Sequence, residues 1–367
     1  MSYTGADNRL VGTGPLPPNL LALNYGNSID FPGLERNQVN MVSLRGSQQI
    51  TADWSLDGVA YYRGFSQFVF NGAPTSSVPC AAPLDPNTFC SPNATTGVQE
   101  QLFDQAGQPV PLAVGGAFPG EIDFARIHTN TWGGTLQTAA SSRWFGRTNH
   151  FILGGRIATS FTAYETGAWL GALDDSRTVI DAIPIDSAGG TDSNIGLRAH
   201  NVALSLYATD TFDVTERISL TLSAGFNRAW IHLVGLTGPA LDGDESYQRF
   251  NPSGGLTYKL YANATAFFNY SEANRVPTPQ ELECASPTTP CILATNFLAD
   301  PPLKQVIAKT FEAGLRGTVT TGEQSNLQWS VSLYRADDRD DILSGPVPTA
   351  PSISVRVTPC RVNPGTA

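Results

Sequence analysis

The sequence is poor in charged residues and has no long apolar run. Asp, Glu, Lys and Arg make up 15% of its 367 residues, against about 25% in an average globular protein. No stretch reaches about 18 consecutive apolar residues, which excludes a membrane-spanning helix. The net charge of −10 leaves no stripe of Lys and Arg that would neutralise phosphates, so we expect no nucleic-acid partner.

Signals for export and for catalysis are also missing. The first residues lack the basic segment and the sustained apolar segment of a signal peptide. No HExxH, G-x-S-x-G or P-loop pattern occurs. We therefore predict no catalytic residues, no enzymatic activity, no cofactor and no metal.

What the sequence does contain is a pattern of alternating side chains. Glycine is abundant, with 35 residues, and aromatic residues make up 10%. Apolar and polar residues alternate over long stretches, which is typical of β-strands with two different faces. Residues 217–227, for example, place on one face Ile218, Leu220, Leu222, Ala224 and Phe226.

The alternation predicts about eleven long strands. They lie near residues 1–9, 38–49, 53–71, 127–141, 149–168, 199–212, 217–234, 250–260, 263–275, 305–320 and 325–340. Most exceed ten residues, whereas strands in globular proteins have about five or six. A tilted strand of about 9–11 residues crosses a bilayer.

Long and short connections alternate along the chain. The long ones are predicted at 10–37, 72–126, 169–198, 235–249 and 276–304. Strict alternation is typical of an all-β, antiparallel up-and-down barrel with short periplasmic turns and long outer loops. A Greek-key sandwich would break it. We therefore predict a transmembrane β-barrel segment, open or partial.

The strand pattern also predicts which side chains face lipid. The outward set comprises Leu204, Leu206, Leu220, Leu222, Trp329 and Leu333. The inward set comprises Asp57, Arg156 and Gln328. The four histidines follow no metal-ligand spacing, and we interpret each as a lumen-facing or loop residue: His128, His150, His200 and His232.

Four of the five cysteines lie in pairs within predicted long loops. Cys80 and Cys90 share one loop, and Cys284 and Cys291 share another. We predict one disulfide in each loop, which fits an oxidising compartment. Free thiols are the alternative, and no histidine accompanies either pair at metal-ligand spacing. Cys360 is left over.

Two acidic clusters lie near predicted loops, at Asp242–Glu245 and at Asp337–Asp341. Neither has the spacing of an EF-hand calcium loop. We interpret both as parts of a solvated rim.

Several ordered motifs resemble the barrel of TonB-dependent receptors. Two strands follow the pattern NP-x-x-GL-x-Y and then R-x-P-(S/T)-x-x-EL, and a third follows E-x-G-x-(R/K). The matching residues are Asn251, Pro252, Gly255, Leu256 and Tyr258, then Arg275, Pro277, Thr278, Glu281 and Leu282, then Glu312, Gly314 and Arg316.

The resemblance implies part of an outer-membrane receptor of a Gram-negative bacterium. Such a receptor takes up a scarce ligand, of the siderophore, cobalamin, sugar or peptide class. Its partners would be outer-membrane lipid or lipopolysaccharide and the TonB complex. Arg275 would end its strand at the outer loop, and Glu281 is placed to pair with it. We expect this pair to act structurally and not on a ligand.

The chain departs from the family in three ways. We expect neither the signal peptide nor the globular plug that precedes the barrel, and eleven strands are half of the family's about 22. We therefore predict a barrel segment over residues 1–343 and a divergent tail over 344–367. The alternatives are a complete small porin or adhesin barrel, which requires closure, and a secreted, soluble glycan-binding β-protein.

Overall fold

A computed structural model describes residues 1–11, 18–25, 31–92, 99–186, 195–236, 242–283, 303–322 and 325–342. The strands in chain order are β1 (Ser2–Val11), β2 (Gly33–Thr51), β3 (Trp54–Pro74), β4 (Val78–Pro79), β5 (Phe89–Pro92), β6 (Gln99–Gln101), β7 (Phe103–Asp104), β8 (Pro119–Trp144), β9 (Arg147–Leu173), β10 (Val179–Asp186), β11 (Ile195–Asp213), β12 (Ile218–Gly235), β13 (Gly243–Tyr261), β14 (Ala264–Arg275), β15 (Val306–Gly322) and β16 (Ser325–Arg339). The helices are α1 (Pro18–Leu23), a 3-10 helix (Leu112–Gly115) and α2 (Pro279–Glu283).

Eleven long strands form one antiparallel sheet. Their order is β1-β2-β3-β8-β9-β11-β12-β13-β14-β15-β16, so each long strand pairs with the next one along the chain. This confirms the predicted up-and-down topology. The tight connections lie at one end of the sheet and the long loops at the other.

The turn between β8 and β9 shows how a tight connection is made. Phe145 and Gly146 occupy it with φ of 51° and 76°. Two positive φ values define a primed hairpin turn, whose twist matches that of the flanking strands. Glycine adopts this conformation without steric cost, which suits Gly146 to the second position.

The observed strands extend further toward the loops than the alternation predicted. β8 begins at Pro119 instead of about residue 127, and β13 begins at Gly243 instead of about 250. Five short strands, β4 to β7 and β10, lie within the predicted long loops. They pair with each other or with β9, so they depend on contacts that a local pattern does not report.

The sheet is open in the part of the chain that the structure describes. There, β1 pairs only with β2, and β16 pairs only with β15. A small closed porin requires the first and last strands to pair, and these residues lack that pairing.

None of the helices among the described residues is long and apolar enough to span a membrane.

The two faces of the sheet differ in what covers them. We call the face on which loop segments pack the inner face and the opposite one the outer face. The outer face exposes large apolar side chains, such as Leu136 at 58%, Ile157 at 56% and Leu222 at 56%. The register places all six residues of the predicted outward set on this face, and Asp57, Arg156 and Gln328 on the inner face.

Two tyrosines lie flat across glycines on the inner face. Tyr207 on β11 crosses Gly154 on β9 and donates a hydrogen bond to Gln137 on β8, 2.8 Å away. Tyr61 on β3 crosses Gly133 on β8 in the same way. A Cβ atom at either glycine would collide with the tyrosine ring. Glycine is therefore required where these rings cover the neighbouring strand.

Candidate functional site

The Arg275–Leu282 motif forms a compact turn at the loop end of β14. Nη1 of Arg275 donates to both carboxylate oxygens of Glu281, at 3.2 and 2.9 Å. The Thr278 amide donates to Oε2 of Glu281 at 2.7 Å, and the Glu281 amide donates to Oγ1 of Thr278 at 3.2 Å. This reciprocal pair is a capping box that begins α2.

The turn depends on Glu281 being ionised. Burial raises the pKa of Glu281, but hydrogen bonds from Arg275 and the Thr278 amide outweigh it, and the net pKa lies below the ordinary value of 4.5. The carboxylate is the form that accepts these bonds. The pairing of Arg275 with Glu281 therefore fixes how the chain leaves the strand.

The same turn covers an apolar cluster on the inner face. Leu282 and Val276 pack against a cluster of buried side chains on β9, β11 and β12. The buried members are Tyr164, Leu197, Ala199, Ile231 and Leu233. Pro277, between the two contacts, is fully buried. The motif thus folds the loop inward over the wall.

The Cys80 and Cys90 side chains are joined by a disulfide within the longest loop. Cys90 lies on β5, which pairs with β4 and with β6 in a separate small sheet. Both cysteines are buried. Cys284, Cys291 and Cys360 lie outside the described residues.

The disulfide-linked loop has its own small core. Phe89, Leu102 and Val110 are buried together, and they pack against residues of β9 and β10. The contacting residues are Ala168, Leu170 and Ile185. Like the motif turn, this loop therefore lies against the loop-side end of β9.

β13 and β14 separate partway along their length. Their backbone pairing stops at Ser253–Ser271, although β13 stays paired with β12 as far as Gly243. Pro252 follows directly, and proline has no amide hydrogen to donate to a sheet. The second residue of the NP motif therefore marks where backbone pairing ends.

Side chains bridge the separated strands. We call this region the seam. Glu272 accepts hydrogen bonds from Tyr270 at 2.5 Å, from Arg249 at 2.6 Å and from Lys309 at 2.9 Å. Only 10% of its side chain is exposed. A carboxylate held by two cations and a phenol is well satisfied at this depth.

An amide network continues the seam beyond Glu272. Oδ1 of Asn274 accepts from Asn227 at 2.9 Å and from Asn251 at 2.7 Å. Asn274 donates to Gln305 at 3.0 Å, and Gln305 donates to the carbonyl of Gln248. Asn251 of the first motif thus contacts the residue just before Arg275 of the second. Sequence analysis missed this network, although a proline inside a strand pattern was its signal.

The histidines correct a prediction. Three of the four lie on the outer face near the loop ends of their strands, and not in the lumen or in loops. His200 on β11 is opposite His232 on β12, and His128 on β8 lines the same hollow. His232 is 2.6 Å from Asp244. His150 lies apart, on the inner face near the β8–β9 turn and 3.0 Å from Ser141, which agrees with its predicted lumen-facing position.

The acidic clusters make local contacts. Asp242 accepts from the Gly235 amide at 2.8 Å, and Asp337 pairs with Arg335 at 2.9 Å. Among the residues described, no group of three or more His, Cys, Asp and Glu is arranged to hold a metal ion.

The family described as "TonB dependent receptor-like, beta-barrel" matches this chain over residues 2–366. The chain belongs to this family, which confirms the resemblance seen in the motifs. The family is one of outer-membrane transport receptors and not of enzymes. No curated protein matches the sequence.

Solved structures with the same fold are receptors of this kind. The ferric citrate transporter FecA, unliganded, has a TM-score of 0.60 and 12% identity over 93% of this chain and 40% of its own. The ferric-catecholate import receptor Fiu from E. coli K12, open form, has a TM-score of 0.56 and 12% identity over 92% of this chain and 49% of its own. The siderophore receptor PiuA from Acinetobacter baumannii has a TM-score of 0.52 and 13% identity over 83% of this chain and 40% of its own. The chain spans less than half the length of these proteins.

Proposed function

We propose that the chain forms part of the wall and outer loops of an outer-membrane receptor for TonB-coupled uptake of a scarce ligand. One observation carries this proposal: an open, eleven-strand up-and-down sheet exposes apolar side chains on one face and packs its long loops on the other. An apolar outer face suits lipid, because every strand in a bilayer needs its backbone paired and its exterior apolar.

The loops supply the outward-facing binding surface in this proposal. Two loop segments, one linked by the Cys80–Cys90 disulfide and one clamped by Arg275–Glu281, already fold against the inner wall. Loop segments held in place by such contacts present side chains to a ligand at low entropic cost. The siderophore, cobalamin, sugar and peptide classes all remain candidates. The TonB complex is the proposed energy source.

The proposed domain boundary lies at 343/344. The described residues end at residue 342, so the tail over 344–367 stays a prediction.

Orientation in the membrane can be tested on intact cells with single cysteines. Ser176→Cys lies in a long loop and Ala52→Cys in a tight turn. We expect a membrane-impermeant maleimide to label the first and not the second, measured against the parent chain. Lysed cells should label both. Labelling of both in intact cells, or recovery of the protein in the aqueous fraction, would contradict an outer-membrane wall.

Transport can be tested by deleting the gene and measuring uptake of labelled ligands from each class. We expect loss of one class only, and we expect a protonophore to abolish the same uptake in the parent strain. Unchanged uptake of every class would contradict the receptor proposal. The matched control is the deletion strain complemented with the intact gene.

A further inference from the structure

Two histidines lie directly opposite each other on the outer face. His200 on β11 pairs in register with His232 on β12. Side chains at such positions of an antiparallel sheet have Cβ atoms about 4.5–5.5 Å apart. On either side of His232, Ile231 and Leu233 are buried in the inner cluster, which holds this part of the strand in place. The pair is therefore placed where two imidazole rings can reach one small ligand.

The register extends this pair into a row across four strands. Phe161 on β9 is opposite His200, and Asp244 on β13 is opposite His232. The row has an aromatic ring at one end, a carboxylate at the other and the two imidazole rings between them. Each end residue contacts the histidine next to it, so both rings have a partner that orients them.

Asp244 orients the ring of His232. Its Oδ1 is 2.6 Å from Nδ1 of His232. An ionised carboxylate only accepts hydrogen bonds, so Nδ1 carries the proton and Nε2 of the neutral ring carries the lone pair. Histidines that bind metal ions usually have a carboxylate, a carbonyl or water on their second nitrogen, because that partner fixes the tautomer and makes the ligating nitrogen more basic. His232 has this arrangement.

Two contacts orient the ring of His200. It is stacked on Phe161, with the ring centroids 4.2 Å apart and the planes 3° apart. Its Nε2 is 2.9 Å from Oγ1 of Thr159. When Nε2 donates to this hydroxyl, Nδ1 carries the lone pair. Each of the two rings is thus held through one nitrogen and has its lone pair on the other.

The two rings border a common hollow of about 290 Å³ on the outer face. Arg198 also lines this hollow, and its charge opposes a bound cation, whereas the charge of Asp244 favours one. Neutral imidazole nitrogens are suitable ligands for zinc, copper and nickel ions. A site with two such nitrogens has room for water at the remaining coordination positions of the ion.

We propose that His200 and His232 together bind one divalent transition-metal ion of the zinc and copper class, with water completing its coordination. Two protein ligands are assigned because, among the described residues, no third His, Cys, Asp or Glu is arranged to hold the ion with them. The site departs from the expectation, drawn from the sequence, of no metal. It goes beyond the proposed receptor function and depends only on the register of β11 and β12.

The test uses the full-length protein purified from its own cells in mild detergent and freed of metal with EDTA. Titration calorimetry measures the affinity for Zn²⁺, and electron paramagnetic resonance with Cu²⁺ reports the nitrogens that bind the ion. We expect the parent to bind Zn²⁺ and to give the Cu²⁺ spectrum of two coordinated imidazoles. Asp244→Asn should weaken Zn²⁺ binding about ten-fold. His200→Gln and His232→Gln should each weaken it further, because each removes a ligand.

Two control variants match these changes. His150→Gln removes a histidine near the β8–β9 turn, and Glu245→Gln removes a negative charge from the residue next to Asp244, on the inner face. Neither should change the affinity for Zn²⁺. Circular dichroism confirms that each variant keeps its β-structure.

Several results would overturn the proposal. One is a parent protein that does not bind Zn²⁺, and another is equal binding by the parent and either His200→Gln or His232→Gln. A loss in His150→Gln as large as that in His232→Gln would place the ion elsewhere. Equal effects of Glu245→Gln and Asp244→Asn would overturn the orienting role of Asp244. The uptake experiment tests the receptor function separately, so either proposal can fail alone.

Discussion

The turn-side and loop-side halves of the same strands have opposite polarity. On the turn side of β12, Leu222 is on the outer face and 56% exposed, while Ser223 is on the inner face. On the loop side, the inner residues Ile231 and Leu233 are 3% and 4% exposed, and His232 between them is on the outer face. β9 and β11 show the same exchange.

The exchange shows what surrounds the apolar side chains in each half of the strands. Loop segments bury the inner face on the loop side, so its apolar residues point inward. No part of the described chain covers the outer face on the turn side, so its apolar residues stay exposed. In the proposed receptor wall, lipid covers them. The change of phase, between Phe226 and Ile231 on β12, marks where the membrane would end in the proposed wall.

A charge on the turn-side outer face tests the comparison most strongly. We expect Leu222→Arg to destabilise the protein by about 2–4 kcal/mol, because Leu222 is five residues from the tight turn and lies among the exposed apolar side chains of the outer face. Urea titration in lipid vesicles measures the loss. Ser223→Arg, on the inner face, is the control and should cost much less. Equal losses would mean that both faces meet the same surroundings.

Removing a loop-side inner residue tests the other half. Leu197 is 1% exposed within the inner cluster, so Leu197→Ala should cost about 2–3 kcal/mol. Hydrogen exchange of β11 and β12 amides reports the loss locally. Val234→Ala, on the exposed outer face, should change exchange little. An effect of Val234→Ala as large as that of Leu197→Ala would show that the loop side is buried on both faces.

Weakening the capping box over the inner cluster should have a smaller effect on stability. Thr278→Ala removes one side of the capping box and should destabilise the turn by about 1 kcal/mol. Thr278→Ser keeps the hydroxyl and should behave like the parent. Exchange of the amides between 276 and 283 is the measurement. Faster exchange in both variants would mean that the methyl group, and not the hydroxyl, stabilises the turn.

Protonation of Glu281 in acid should have the smallest effect on the stability of the turn. Because folding lowers the pKa of Glu281, its carboxylate stabilises the turn at neutral pH, and this contribution is lost as the pH falls through the lowered pKa. Glu281→Gln should therefore exchange faster than the parent at pH 7 and match it in acid. A difference that stays constant with pH would exclude the carboxylate as the cause.

The sequence predicted the long strands because each carries its own alternation. The change of phase was also readable: in "SLTLSAGFNRAWIHLVG" the apolar set moves from Leu220, Leu222 and Phe226 to Ile231 and Leu233. The predicted face of residues 217–227 stopped just before this change. The residues further along this same strand therefore indicate the loop-side core.

Other features depend on neighbours and could not be read from one strand. The row of His200 and His232 exists only because the register sets them opposite each other. The short strands β4 to β6 pair within a disulfide-linked loop, whose local pattern has too few residues to alternate. The sequence indicated that the Arg275–Leu282 motif ends a strand. It did not indicate that Leu282 packs on the inner cluster.

Pro252 has a mechanical consequence. Beyond Ser253–Ser271, β13 and β14 are held to each other by side chains alone. In every other neighbouring pair of long strands, the backbone ladder reaches the loop-side end of at least one of the two strands. Peeling a ladder breaks its bonds one after another, but here the first several are already missing. Under tension from the loop end, the sheet would begin to tear between these two strands.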